Sequence, residues 1–153
     1  MASRAFDIEH TVTFADTNVV GNVYFAQFIA WQGKCREQFL FEHAPDVIEQ
    51  LQQGLVLATT RTHCEYYVEL LPADRVRIRM RLLEIKQNRV TMGFEYHRLD
   101  LRGGREALLV ARGEQQIAIL LRKSDGVEPA PIPPSLRQAL ERYRQTDRVA
   151  AFQ

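Results

Sequence analysis

The sequence carries almost no net charge and few cysteines. Its 20 basic and 19 acidic side chains give a formal net charge of +1, so no global field favours nucleic acid or an anionic membrane as a partner. The two cysteines, Cys35 and Cys64, fall inside apolar predicted elements and not in a disulfide framework. That usage is typical of a reducing compartment, and we expect a cytoplasmic protein.

Leader signals and long apolar runs are also missing. The first ten residues, MASRAFDIEH, contain no apolar segment of a signal peptide, and no run approaches the roughly 20 residues that a membrane span requires. We find no internal repeats and no low-complexity tracts. With 153 residues and 46% hydrophobic content, the chain is expected to form one domain over 1–153 with a single core.

What the sequence does contain is a distinctive stretch over residues 13–40, in which the end of a strand leads through a polar loop into one long helix. The loop carries turn-forming residues, namely Asp16, Thr17, Asn18, Gly21 and Asn22. We expect the helix to begin just after Asn22. It should end near Pro45, because proline disfavours a helical residue before it.

Two stripes at helical spacing run along this helix. The first stripe predicts burial, and it consists of Tyr24, Phe28, Trp31, Cys35 and Phe39. The second stripe places Gln32 and Arg36 among apolar neighbours. Because burying an unpaired guanidinium is costly, Arg36 is the first residue that indicates a functional site.

Alternating apolar and polar residues predict a series of strands after the helix. One of them carries an outward row of arginines, Arg75, Arg77, Arg79 and Arg81. The predicted strands cover 5–14, 55–71, 75–86, 90–96 and 106–121, and Gly103 and Gly104 form the turn before the last of them. A short helix is predicted at 46–53. After the strands, a proline-rich linker at 127–134 leads to a C-terminal helix at 135–148 that is capped by Ser135.

Four consecutive strands with short turns, next to a helix that is apolar nearly all round, favour one architecture. The fold class is α+β, with a curved antiparallel sheet wrapped around the long helix. The arginine row then faces solvent or a partner.

The order of these elements resembles the hot-dog fold, with 6–121 as its core. Within that fold, DTNVVGNVYFAQFIAWQGKCR resembles the loop and helix of the 4-hydroxybenzoyl-CoA thioesterase type. TFADTNVVGNVYF followed by WQGKCRE is most similar to the thioesterases of enediyne polyketide biosynthesis. The resemblance implies a hydrolase that acts on a β-ketoacyl polyene thioester held by the phosphopantetheine of an acyl carrier protein, and a product prone to decarboxylation.

The resemblance also assigns roles around Asn18. Many relatives carry at this position an aspartate that acts as nucleophile or general base, whereas an amide can only donate to an oxygen and orient a water. The enediyne subfamily is understood to work without that carboxylate. An Asx turn is the structural alternative for Asn18, and Asp16 is either a helix cap or the missing base.

A site without this carboxylate can still catalyse the reaction electrostatically. Backbone N–H groups of Val23, Tyr24 and Phe25, at the positive end of the helix dipole, would hold the thioester oxygen. Arg36 would bind a second oxygen, the 3-keto group, unless it pairs with Glu37 or Asp16. No cofactor is implied.

The strand after the helix supplies further candidates. Thr60 and Thr62 are expected to share one face, with His63 on the other, and relatives line the acyl pocket with this strand. A threonine could assist Asn18 or the substrate, and a histidine within reach would be the natural base near neutral pH. Phe28 and Trp31 are core residues first and pocket residues second. His63 and Cys64 lack further metal ligands at suitable spacing, so we predict no metal site.

Geometry favours a shared site. Phe25 and Arg36 are separated by three helical turns, roughly 16 Å. Either the acyl chain spans this distance within one chain, or two protomers of a homodimer, or of a tetramer built from dimers, complete each site, and we favour the second. The functional alternative for the arginine row is docking of an acidic carrier protein or of the phosphates of phosphopantetheine. A generic acyl-CoA thioesterase and a non-catalytic acyl-binding module of the same fold are the alternative functions.

Overall fold

The computed structural model describes residues 4–99 and 107–146. Within these residues, six strands, three α-helices and one short 3-10 turn follow each other. Their bounds are β1 Phe6–Thr11, the 3-10 turn Phe14–Asp16, α1 Ala26–His43, α2 Pro45–Gln52, β2 Leu55–Tyr66, β3 Arg75–Lys86, β4 Arg89–Leu99, β5 Leu108–Lys123, β6 Gly126–Pro129 and α3 Pro134–Glu141.

All the strands pair in one antiparallel sheet with the order β1-β3-β4-β5-β2. The last four residues of β5 also form a hairpin with β6. Among the described residues, strand β2 pairs with β5 alone, so its other side is a long free edge in that part of the chain. Two residues of this edge strand, Thr59 and Tyr66, form hydrogen bonds with Arg36 and Phe25.

The helix α1 packs against the concave side of this sheet, with contacts to β1, β2, β3 and β5. The predicted apolar stripe faces the core from Phe28 onward, and Cys35 is completely buried. Opposite it, the inward residues of β3 are also fully buried, namely Val76, Ile78, Met80 and Leu82. The predicted α+β hot-dog arrangement is therefore confirmed.

The start of the long helix differs from the prediction. It begins at Ala26 and not just after Asn22, because Val23 forms a β-bridge with Thr17 that keeps the chain extended there. Tyr24 is consequently exposed instead of belonging to the buried stripe. The predicted end is confirmed, since α1 stops at His43 and Pro45 begins α2.

The C-terminal part also departs from the prediction. Residues 126–129 form β6 and are not a linker, and α3 ends at Glu141 instead of reaching 148. Ser135 does not cap this helix, since its hydroxyl donates to Asp46 Oδ2 over 2.7 Å. Strand β2 stops at Tyr66, short of residue 71, and the predicted turn at Gly103 and Gly104 lies outside the described residues.

None of the helices within 4–99 and 107–146 is both long enough and apolar enough to cross a bilayer.

Candidate active site

Asn18 lies in a tight loop between the 3-10 turn and α1. Its Oδ1 accepts a hydrogen bond from the Val20 N–H at 3.0 Å, which is an Asx turn. The Asn18 N–H donates to the Asn22 carbonyl, and the Gly21 N–H donates to the Asn18 carbonyl, both over 3.0 Å. The Nδ2 of Asn18 makes no hydrogen bond to a described residue. It is therefore the part of this side chain that can donate to a substrate or water oxygen.

Two of the three predicted oxyanion donors are already engaged inside the chain. The Val23 N–H donates to the Leu70 carbonyl and the Tyr24 N–H donates to the Asp16 carbonyl, both over 2.9 Å. A backbone N–H has one hydrogen to give. In this conformation Val23 and Tyr24 therefore cannot donate to a thioester oxygen, and the prediction is wrong for these two residues.

The free N–H groups lie one step further along, at Phe25 and Ala26. Neither donates to an acceptor among the described residues, as expected for the first residues of an α-helix. They stand at the positive end of an 18-residue helix, where the dipole favours negative charge. This pair is the better candidate for an oxyanion site, and Ala26 was not predicted.

A cavity of about 220 Å³ opens beside this helix start. It is lined by residues 22, 23, 25, 28 and 66–70. The Tyr66 hydroxyl donates to the Phe25 carbonyl over 2.9 Å, so it fixes one wall of the cavity. Asn22 contributes a buried Oδ1 without a partner among the described residues, while its Nδ2 donates to Glu69.

The second predicted catalytic residue, Arg36, lies between α1 and the sheet. Its Nη1 donates to Gln115 Oε1 over 2.8 Å and, more weakly, to Thr59 Oγ1 over 3.4 Å. Its Nε is buried and has no hydrogen-bond partner among the described residues. Burial lowers the pKa of the guanidinium, and the neighbouring Glu37 acts in the opposite direction. Within 4–99 and 107–146 it forms no ion pair, so the predicted bridges to Glu37 or Asp16 are absent.

Asp16 takes part in a cap, but of the 3-10 turn and not of the long helix. Its Oδ2 accepts hydrogen bonds from the Thr13 N–H at 2.8 Å, the Thr13 hydroxyl at 3.2 Å and His10 Nε2 at 2.9 Å. It closes the 3-10 turn that precedes the Asn18 loop. It does not cap α1, whose first turn has no side-chain cap.

Strand β2 contains a β-bulge between Thr59 and Arg61, and the bulge changes which threonines face the helix. Thr62 donates to Gln32 Oε1 on α1 over 2.9 Å, whereas Thr60 donates to the side chain of Gln116 over 2.8 Å. The prediction that Thr60 and Thr62 share a face is therefore wrong. Thr59, which contacts Arg36, takes the inward position instead.

The remaining predicted pocket residues are mainly structural. Phe28 and Trp31 are each 3% exposed, and their rings pack together with centroids 5.1 Å apart. His63 accepts a bond from Gln32 Nε2 through its carbonyl, over 3.1 Å, while the residue itself is exposed on the edge strand. Of these three residues only Phe28 lines the cavity described above.

The helix runs alongside the edge strand in the opposite direction. The start of α1 meets Tyr66, its middle meets Thr62, and Arg36 meets Thr59. Phe25 and Arg36 therefore lie at the two ends of the contact between α1 and β2, about 16 Å apart along the helix axis.

Comparison with known proteins identifies the family of this chain. The model of the thioesterase-like superfamily matches residues 12–140. The chain belongs to the thioesterase-like superfamily. A comparison with curated proteins gave no match.

Solved structures agree with this thioesterase-like assignment. The dynemicin thioesterase, studied for polyene binding, is 42% identical, with a TM-score of 0.88 over 94% of this chain and 100% of that one. A 1,4-dihydroxy-2-naphthoyl-CoA thioesterase from Synechocystis is 19% identical, with a TM-score of 0.75 over 90% and 96% of the two chains. A 4-hydroxybenzoyl-CoA thioesterase variant bound to 4-hydroxybenzoyl-CoA is 14% identical, with a TM-score of 0.78 over 90% and 99%. The last two likenesses show the fold alone.

The arginine row of this thioesterase-like chain is largely neutralised. Arg79 forms two 2.9 Å bonds to Asp7, and Arg81 and Arg75 pair with Glu95 and Glu9, respectively. The fourth member of the row, at position 77, forms no ion pair with another described residue. The positive charge that this row offers to an acidic partner is therefore smaller than the sequence indicated.

The cysteines of the thioesterase-like chain are poor nucleophiles. Burial raises the pKa of Cys35 far above its usual value, and burial also raises the pKa of Cys64 to about 11. Since the thiolate is the reactive form, neither thiol is activated near neutral pH. Among the described residues, no three His, Cys, Asp or Glu side chains come together as a metal site.

Several residues of the candidate site in this family member were not predicted from the sequence. Gln115 carried a signal, because it is a polar residue on the inward, otherwise apolar side of β5. Ala26 and Tyr66 carried none, because a backbone N–H is common to every residue and an aromatic residue is ordinary in a strand. Thr59 was not predicted because no sequence pattern indicates the bulge in β2.

Proposed function

We propose that this protein hydrolyses a β-ketoacyl polyene thioester carried by an acyl carrier protein in enediyne polyketide biosynthesis. The observation that carries the proposal is the 42% identity to the dynemicin thioesterase over nearly the whole of both chains. That relative is described by its polyene binding. A thioester hydrolase is already the activity typical of the superfamily.

The chemistry follows from the helix start. Water adds to the thioester carbonyl carbon, the C–S bond breaks, and the acid and the carrier thiol are released. The free N–H groups of Phe25 and Ala26 would stabilise the negative oxygen of the tetrahedral intermediate, a contribution worth about 10² to 10³ in rate for each such donor. Asn18 Nδ2 would orient the attacking water or the carbonyl.

A second protomer would bring Arg36 to the same substrate. If two copies of β2 pair antiparallel in a register centred near residues 62 and 63, Thr59 of one chain lies opposite Tyr66 of the other. Arg36, which contacts Thr59, then approaches the helix start of the partner, because Tyr66 contacts Phe25. This pairing removes the 16 Å separation within one chain and satisfies the free strand edge.

Exposed apolar side chains near the helix start support such a dimer. Phe14 is 83% exposed and Val19 is fully exposed, and Val20, Tyr24 and Phe25 are also open to solvent. Clustered apolar residues of this kind typically mark an interface. We propose a homodimer with two shared sites, which can associate further into a tetramer.

The role proposed for Arg36 is recognition of the 3-keto oxygen. The guanidinium has no carboxylate partner among the described residues, so a polar oxygen of the substrate would complete its hydrogen bonding. The product would be a β-keto acid, which readily loses carbon dioxide. A carrier-bound substrate and free thiols fit a protein of the cytoplasm.

Purified protein and a β-ketoacyl carrier-protein thioester test this function directly. We expect hydrolysis by the wild type and its loss in Asn18→Ala and Arg36→Ala, with circular dichroism unchanged. Arg137→Ala, on the exposed face of α3, is the control and should retain activity. Equal rates on unsubstituted acyl-CoA thioesters would favour a generic acyl-CoA thioesterase. Binding of the substrate without hydrolysis by the wild type would favour the non-catalytic acyl-binding module.

A further inference from the structure

We propose that Gln115 is a positioning residue that makes the site selective for acyl groups with a second oxygen, by holding Arg36 through a neutral amide instead of a carboxylate. The inference rests on the proposed thioesterase function and names a determinant of its substrate class. Gln115 acts through Arg36 and is not itself a catalytic residue.

The position of Gln115 is well defined. It lies on β5, paired with Thr62 of β2 on one side and Met92 of β4 on the other. The residue is only 4% exposed, although its neighbours on the inward side of β5 are apolar or glycine. A polar side chain buried at such a position needs a hydrogen-bond partner. Its Oε1 finds one in Arg36 Nη1, at 2.8 Å.

This hydrogen bond orients the guanidinium without cancelling its charge. An amide oxygen accepts a hydrogen bond but carries no net charge. Arg36 forms no ion pair within 4–99 and 107–146, and its buried Nε has no acceptor. A half-buried cation in this state is costly unless something else compensates it. The missing acceptor is then a ligand oxygen with partial or full negative charge.

The chemical class of the ligand follows from this charge. A 3-keto oxygen, or the enolate derived from it, can accept from Nε and gain from the positive charge. A plain acyl chain would leave the same nitrogen unsatisfied in a water-poor site, and sites built to bind a polar atom reject analogues that lack it. The arrangement therefore favours β-ketoacyl groups over saturated acyl groups of equal length.

An isosteric substitution separates orientation from charge. Gln115→Glu keeps the shape and the acceptor but gives Arg36 a carboxylate partner. We expect kcat/KM for a β-ketoacyl pantetheine thioester to fall about tenfold or more, since a compensated guanidinium attracts the ligand oxygen less. The matched saturated thioester should change by less than about twofold, because it makes no use of that charge.

The chain offers a matched control one residue away. Gln116 lies on the opposite face of β5, where its side chain accepts from Thr60 and Arg89. Gln116→Glu makes the same chemical change beside an arginine that is remote from the site. It should leave the ratio of the two kcat/KM values at the wild-type level. A similar fall in that ratio would show that added negative charge alone is responsible and would overturn the proposal.

The melting temperature distinguishes a positioning role of Gln115 from a merely structural one. A new buried ion pair compensates a cation, so the melting temperature of Gln115→Glu should be equal to or higher than that of the wild type. Selectivity and stability then change in opposite directions. If Gln115→Glu lowers the melting temperature and reduces both substrates in parallel, Gln115 is only structural and the proposal is wrong.

A binding experiment distinguishes failure of this inference from failure of the proposed function. Amide analogues of the two thioesters, with sulfur replaced by NH, cannot be hydrolysed at a useful rate, and their binding can be measured by calorimetry. The wild type should bind the 3-keto analogue about tenfold tighter than the saturated one, and Gln115→Glu should remove the difference. Equal binding of both analogues by the wild type overturns the inference, whether or not the protein hydrolyses thioesters.

Discussion

The Tyr66 hydroxyl donates a 2.9 Å hydrogen bond to the Phe25 carbonyl. The last residue of the edge strand β2 thereby holds the residue that precedes α1, although the two are 41 positions apart. The backbone N–H groups of Phe25 itself and of Ala26, the first residue of α1, have no acceptor among the described residues. Anything that loosens this contact should therefore disturb the proposed oxyanion site more than substrate binding.

Tyr66→Phe tests this relationship. Loss of one hydrogen bond is worth about 1 kcal/mol, which predicts a fall in kcat of about fivefold with KM within about twofold of wild type. Steady-state kinetics on a soluble β-ketoacyl thioester measure both constants. Tyr143→Phe is the control, because it removes a 3.0 Å bond to His43 near the other end of α1. A change in KM alone would contradict a role at the oxyanion site.

Mixing two inactive variants tests the shared site. In a heterodimer of Asn18→Ala and Arg36→Ala chains, one site has both substitutions and the other has neither. Random assortment makes half of the dimers mixed, so co-expression should restore about a quarter of wild-type activity. Two complete sites within single chains predict no recovery. Tandem purification of the mixed dimer removes the homodimers and sharpens the comparison.

Gly113→Ala tests the packing between α1 and the sheet. A Cβ at position 113 would contact the Gln32 side-chain nitrogen and would stand 2.8 Å from the His63 carbonyl oxygen. We expect the free energy of unfolding to fall by about 1–3 kcal/mol, the usual cost of overpacking. Chemical denaturation with the slope held common to both proteins gives the difference.

Gly33→Ala is the matched control for that experiment. No atom of the described residues lies within 4 Å of a Cβ at this position of α1, and alanine is the better helix former by about 0.8–1.0 kcal/mol. The same substitution should therefore stabilise the protein at one site and destabilise it at the other. A gain in stability from Gly113→Ala would show that the polar contacts of Gln32 can move at little cost.

The pH dependence of stability tests the Asp16 cluster. Burial raises the pKa of this carboxyl, but the hydrogen bonds from Thr13 and His10 outweigh burial, so its pKa lies below the usual value of an aspartate. A carboxyl with a lowered pKa in the folded state stabilises the protein above the unfolded pKa, and this contribution is lost as the pH falls through the folded value. The expected window of loss is thus below about pH 4.

Asp16→Asn isolates this contribution. The variant should be less stable than the wild type at pH 7, and the difference between their melting temperatures should shrink as the pH is lowered towards 3. Thermal melts across that range measure both trends. A difference that is independent of pH would mean that the charge of Asp16 does not contribute and that only its hydrogen-bonding shape matters.

Arg77→Glu tests docking of the carrier protein. Its three neighbours in the row are paired with carboxylates, so position 77 holds the charge most available to an acidic partner. Reversal of that charge should raise KM for the carrier-bound substrate about threefold to tenfold and leave a small thioester unaffected. Arg137→Glu supplies the same charge change on α3. Equal loss on both substrates would refute docking through this row.

Much of the fold could be predicted because burial leaves a periodic trace in the chain. The inward residues of β3 alternate with arginines, and the stripe from Phe28 to Phe39 recurs every three or four residues. Element boundaries were less accurate. The chain stays extended through Val23 because of its bridge to Thr17, a pairing that no local propensity indicates.

The candidate site could be predicted only as a set of residue types. Asn18 and Arg36 stand out because an amide in the loop and a guanidinium on an apolar helix are chemically conspicuous. The roles of Val23 and Tyr24 could not be judged, since their N–H groups are taken by residues 47 and 8 positions away along the chain. The bulge in β2 likewise reversed the expected orientation of Thr60.

The order of strands, the long helix and the family likeness were already determined by the sequence, because alternation, helical spacing and a motif are properties of neighbouring residues. Which N–H groups remain free, and what holds Arg36, were decided only by the tertiary structure. The partner of that guanidinium is 79 positions away. Contacts of this kind depend on how the sheet curls around the helix, and no local pattern records it.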